Sequence, residues 1–139
     1  MAERIARSEL ILGGQRSGKS RRAEALAGQW LDADTTHRAV LIATGQALDE
    51  EMRERIARHQ RERARRVPGL RTVEEPRALA DAVHAHAAAN TLVVIDCLTL
   101  WLTNLLMPAD GAPRDSVEPV AGLRRAIEWA AGPVVLVSN

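Results

Sequence analysis

Gly13-Gly14-Gln15-Arg16-Ser17-Gly18-Lys19-Ser20 is the stretch of this 139-residue chain whose residue types and spacing speak first for chemistry. It fits G-x-x-x-x-G-K-[ST] without a gap. Glycines open backbone conformations barred to other residues, so successive N–H groups can turn toward one phosphate. A helix starting near Gly18 adds its positive end. Lys19 would then bridge the β- and γ-phosphates, and the Ser20 hydroxyl would ligate magnesium. A magnesium site of this kind also wants a carboxylate at the end of a neighbouring strand. Asp96, directly after Val93-Val94-Ile95, is the candidate, with a plain turn or helix cap as the bland alternative.

His59 is the second chemical candidate. It sits in a charged segment, Asp49 to Arg66, that reads as one long helix with acids in its first turn and arginines in its last. Glu51 and Arg55, Glu54 and Arg58, and Glu62 and Arg66 are spaced for exposed i,i+4 pairs. His59 shares a stripe with Met52 and Ile56, beside Arg55, Arg58 and Arg63. The residues alone leave two readings open: a structural histidine, or a neutral imidazole that attacks an α-phosphate while arginines steady the charge. His37, His84 and His86 have no such company.

Around these residues strands and helices alternate. Glu9–Leu12, Ala39–Ala43, Thr91–Ile95 and Val134–Val137 read as buried strands, with a shorter one at Leu70–Val73. Helices are expected over Lys19–Trp30, from Pro76 to about Ala89, over Leu98–Leu106 and over Val120–Ala131. Met107–Pro119 holds three prolines and reads as a loop. Strands apolar on both faces imply a parallel α/β sheet covered by helices, one P-loop nucleotide-binding domain over residues 1–139.

Composition narrows the field. Net charge is +1, so nothing favours a nucleic-acid partner. Phe and Tyr are absent and only three tryptophans remain, which argues against base stacking. The single Cys97 excludes an intramolecular disulfide. No apolar run of spanning length lacks a charge, and the short apolar N-terminal stretch is no secretory signal, so the expected compartment is the cytoplasm. The 19 basic residues include one lysine, Lys19, placed inside the glycine loop.

Several segments together resemble one family: the bifunctional adenosylcobinamide kinase / adenosylcobinamide-phosphate guanylyltransferases of cobalamin biosynthesis. They are Ile11–Ala25 (ILGGQRSGKSRRAEA), Ile42–His59 (IATGQALDEEMRERIARH), Arg71–Pro76 (RTVEEP), Val94–Leu106 (VIDCLTLWLTNLL) and Pro133–Asn139 (PVVLVSN). The resemblance implies a RecA-like, mostly parallel P-loop sheet and two reactions. ATP or GTP phosphorylates the aminopropanol hydroxyl of adenosylcobinamide. GMP then passes from GTP to that phosphate through a covalent GMP–histidine. His59 matches the family histidine. Gly13 to Ser20 would hold nucleotide phosphates, Arg16 contacting the transferred phosphoryl. Thr44, Gly45, Gln46, Gln60, Arg61, Glu62, Arg63, Glu74 and Asp96 match positions lining the nucleotide site, with Mg2+ on Ser20 and Asp96.

The same resemblance implies a homotrimer with the His59 helix toward the subunit contact. It also implies a further C-terminal loop, helix and strand beyond Asn139, whose lack would leave an association-prone sheet edge and an incomplete catalyst. Read without the resemblance, the same loop also suits another small-molecule P-loop kinase, or a chain that binds nucleotide without turnover.

Overall fold

The computed structural model describes residues 4–14, 17–109 and 111–139. Five parallel strands form one sheet: β1 (Ser8–Leu12), β2 (Arg38–Ala43), β3 (Leu70–Glu74), β4 (Thr91–Asp96) and β5 (Val134–Ser138). Their order across the sheet is β1-β5-β4-β2-β3. The helices between them are α1 (Lys19–Ala33), α2 (Glu50–Arg66), α3 (Leu79–His86), α4 (Leu98–Leu106) and α5 (Val117–Trp129).

Alternate strand residues feed two separate cores, as pleating requires. Val40, Ile42, Val93, Ile95, Val134 and Leu136 pack with Leu79 and Val83 of α3, Trp101 and Leu105 of α4, and Leu123 of α5. Their neighbours Leu41, Leu92, Val94, Val135 and Val137 pack on the other face with Ala23, Leu26 and Ala27 of α1. Burial on both faces is what makes β2, β4 and β5 read as unbroken apolar runs. Because every strand is parallel, the segments after β1, β2, β3 and β4 all emerge at one edge of the sheet. In such sheets that edge is where ligands bind.

Four expectations need correction. β1 is not buried: it is the sheet's edge strand, and Leu10 and Leu12 are 54% and 66% exposed. Only Ile11 reaches a core, because the α3–α5 layer stops short of β1. Helix α1 runs on to Ala33, past Trp30. Helix α3 starts at Leu79, because the Glu75 carboxylate accepts from the Arg77 and Ala78 N–H groups and holds Pro76 to Ala78 in a turn. Helix α5 begins at Val117, inside the expected loop; Pro119 is tolerated there because first-turn N–H groups have no intrahelical partner. Among the described residues no helix is long and apolar enough to cross a membrane.

Candidate active site

The glycine loop joins β1 to α1, as its motif demands. Gly18 takes a left-handed conformation, φ 84°, at the N-cap of α1. A side chain on Gly13 would collide with that of Ser17. Helix α1 opens with no side-chain cap and no acid in its first turn, so its positive end keeps its N–H groups for an anion. The Lys19 ammonium reaches back 3.0 Å to the Gly14 carbonyl and spans the loop. Gln15 and Arg16 lie outside the described residues.

Ser20 and Asp96 meet, although β4 is not the neighbour of the loop strand as expected: β5 lies between β1 and β4. The Ser20 hydroxyl donates to Asp96 Oδ2 at 3.1 Å, across 76 residues of chain. Asp96 is held from behind by Thr44, whose N–H donates to the Asp96 carbonyl. The wholly buried Thr44 hydroxyl donates to the Cys97 carbonyl at 2.7 Å and accepts from the Cys97 N–H at 3.0 Å. Thr44 therefore clasps the ends of β2 and β4; its side chain does not line the cavity that Asp96 faces. Cys97 is buried and caps α4 through its sulfur. Burial pushes its thiol pKa up.

His59 shares that cavity. A cleft of 410 Å³ is lined by Ser20, Arg21, Glu24, His59, Glu62, Arg63, Arg66 and Asp96. His59, Arg63 and Arg66 are spaced i, i+4, i+7, one stripe of α2 facing the glycine-loop helix. Asp49 caps α2 by accepting from the Met52 N–H at 2.7 Å. The expected surface pair of Glu62 with Arg66 is not what holds Arg66. Its guanidinium instead forks onto Glu24 of α1 at 2.6 and 3.1 Å, a part-buried bidentate bond that wins over an exposed i,i+4 pair. That bond raises the Arg66 pKa above its ordinary value, the Glu24 hydrogen bond being the main cause.

The remaining expected residues lie nearby or apart. Gln60 donates to Glu74 at 2.9 Å, and both line a neighbouring cleft of 230 Å³ with Ala47 and Ile56. A side chain on Gly45 would just touch Leu100, and Gln46 is half-buried. Arg61 is exposed and lines neither cleft.

Residues 9–139 match the cobinamide kinase / cobinamide phosphate guanyltransferase family. The chain belongs to that family. It is 47% identical over 131 residues to a bifunctional adenosylcobalamin biosynthesis protein of Pseudomonas aeruginosa, covering 94% of this chain and 70% of the relative. Identity is 42% over 102 residues to the Escherichia coli protein of the same description, 73% of this chain and 51% of that one. It is 39% over 119 residues to the Salmonella typhimurium protein, 86% and 61% of the two lengths. Among solved structures, the flagellar accessory protein FlaH of Methanocaldococcus jannaschii matches 96% of this chain and 61% of its own. Its TM-score is 0.55 at 12% identity, a likeness of fold.

For this member of the family the sequence pointed to Ser20, Asp96 and His59 but missed Glu24, Arg21 and Arg66. The available signal was a glutamate amid Ala23, Leu26 and Ala27 on the buried stripe of α1, where a charge needs a partner. Asn104 was also missed; its amide donates to the carbonyls of Thr44 at 2.8 Å and Pro76 at 3.0 Å, and joins the loops after β2 and β3.

Proposed function

We propose that this chain performs both family reactions: phosphorylation of adenosylcobinamide, and transfer of GMP from GTP to the resulting phosphate through His59. The observation that carries the reading is the single cleft lined by Ser20, Asp96, His59, Arg63 and Arg66. In the kinase step the substrate hydroxyl oxygen attacks the γ-phosphorus and the nucleoside diphosphate leaves. In the second step an imidazole nitrogen of His59 attacks the α-phosphorus of GTP. A P–N bond forms, the bond to the β-phosphate oxygen breaks and pyrophosphate departs. A phosphate oxygen of adenosylcobinamide phosphate then attacks the same phosphorus, and His59 is released.

Gly13, Gly14, Gln15, Arg16, Ser17, Gly18 and Lys19 would cradle and bridge phosphates, and Arg63 would offset charge developing on the attacked group. Gly45, Gln46, Gln60, Arg61, Glu62 and Glu74 are the remaining candidates for nucleotide contact. Ser20 and Asp96 offer two hard oxygen donors 3.1 Å apart, a set that suits Mg2+, which completes its shell with water and phosphate oxygens. The ion would supply charge neutralisation on the phosphates. We place the enzyme in the cytoplasm as a homotrimer with α2 toward the subunit contact. The helix has no buried residue of its own in the single chain, which supports this.

Incubation with α-labelled GTP tests the reading. Label should stay on the protein, survive alkali, be lost in acid, and vanish in His59→Ala. Nucleotide binding without covalent label would leave a kinase or a non-catalytic binder.

A further inference from the structure

Glu24 is the one carboxylate among the described residues that the fold buries, at 4% exposure, and no step above uses it. It projects from α1 one turn beyond Ser20, so the two share a helix face. Three guanidinium groups surround it. Arg66 binds it with both fork nitrogens at 2.6 and 3.1 Å, Arg63 Nε lies at 3.8 Å, and Arg21 Nε at 3.9 Å. Two of the three come from the stripe of α2 that also bears His59.

Little else fastens that helix. No residue of α2 is buried, although Ile56 and Ala57 are half-buried beside the cleft that Glu74 lines; among the described residues its other side-chain hydrogen bonds to the body are that from Arg63 to Thr72 at 3.1 Å and that from Gln60 to Glu74. The first two turns of α2 carry only local pairs, Arg53 with Glu50 and Arg55 with Glu51. The polar bonds that fix the rotation of α2 about its axis, and with it the direction in which His59 points, thus come from Gln60, Arg63 and Arg66, all beyond His59.

We propose that Glu24 is a positioning residue for guanylyl transfer: its buried carboxylate draws Arg63 and Arg66 onto the helix that follows the glycine loop, and so aims His59 at the phosphate held by that loop. The proposal rests on the His59 reading above. A bidentate guanidinium–carboxylate pair fixes orientation as well as distance, which a point charge would not. Losing it leaves the glycine loop untouched while His59 drifts, and misplacement of a reacting group by about 1 Å costs about a hundredfold in rate.

The test compares wild type, Glu24→Gln, Arg66→Gln, the double variant and Arg66→Lys. Self-labelling by α-labelled GTP is followed at saturating nucleotide, beside the affinity for a fluorescent GTP analogue and the melting temperature. Glu24→Gln should lower the labelling rate about tenfold to a hundredfold while nucleotide affinity stays within about threefold. Arg66→Lys keeps the charge but loses the fork and should be slow as well. The double variant should be no slower than the worse single one, the mark of two groups acting through one contact. If Glu24→Gln unfolds, the two Arg66 variants carry the comparison, since that side chain is partly exposed. Wild-type labelling in the Glu24 variant, multiplying losses in the double, or affinity falling in step with rate would each overturn the proposal. A wild type that takes no label at all overturns the His59 reading, and this inference with it.

Discussion

Lys19 is the single lysine among 19 basic residues, and the reason is legible at its own atoms. Its ammonium spans the glycine loop to the Gly14 carbonyl at 3.0 Å, a reach that a slim stem and a compact charge can make. A planar guanidinium is wider and presents its donors as a rigid fork. Lys19→Arg should therefore behave like Lys19→Ala and not like wild type. Both should weaken nucleotide binding about tenfold to a hundredfold, the range for one hydrogen bond to a charged group, as measured by fluorescent-nucleotide titration. Arginine restoring full affinity would sink the phosphate role given to the ammonium. Cys97 gives a second prediction at this scale. Burial raises its pKa, so at pH 8 the native thiol should alkylate far more slowly than the thiol of the urea-unfolded chain. As pH rises the unfolded chain loses that proton first. Its contribution to stability is therefore whole below the ordinary thiol value and is lost as pH climbs through the raised one.

At the scale of elements, β4 and α2 are opposites. Thr91 to Ile95 are all buried, with both faces covered, whereas α2 has no buried residue and is held by side-chain bonds to Glu24, Thr72 and Glu74. In the dissociated single chain, amide hydrogen exchange should consequently be slowest in β4 and faster by orders of magnitude in α2, because local opening of α2 exposes little apolar surface; assembly into the proposed trimer should slow α2. Equal protection in the two would mean that α2 is buried in an assembly. The same contrast explains what the sequence could tell. The apolar runs of β2, β4 and β5 are legible because burial on two faces excludes polar residues, and the glycine loop because its backbone demands particular residues. The edge position of β1 was not legible: Leu10-Ile11-Leu12 is as apolar as a central strand, and strand order is set by contacts distant in sequence. Charge spacing along α2 misled in a similar way. Glu62 to Arg66 has ideal i,i+4 spacing, but the buried partner from α1 offers Arg66 the stronger bond.

At the scale of the whole molecule, the glycine loop belongs to the least covered strand of the sheet, yet its chemistry is tied to the centre. The bond from Ser20 to Asp96 connects α1 with the end of β4, and Thr44 joins that end to β2. A ligand that bridges Ser20, Lys19 and Asp96 therefore bears on the edge and the core together, and its binding energy should appear as stability of the fold as a whole. At a free nucleotide concentration about a hundred times Kd, linkage adds about 2.7 kcal/mol. For a domain of this size that is a rise in Tm of roughly 10 °C. Mg-GTP should produce such a shift in a thermal melt. Lys19→Ala should lose about half of it or more at the same concentration, since affinity weakened about tenfold to a hundredfold lowers the saturation that drives it. His59→Ala should keep it, because the imidazole faces the cleft without taking part in the loop that grips the phosphates. The converse pattern, a shift that survives Lys19→Ala and disappears in His59→Ala, would move the principal phosphate contact from the glycine loop to α2. It would also require the roles of the two helices in the cleft to be exchanged.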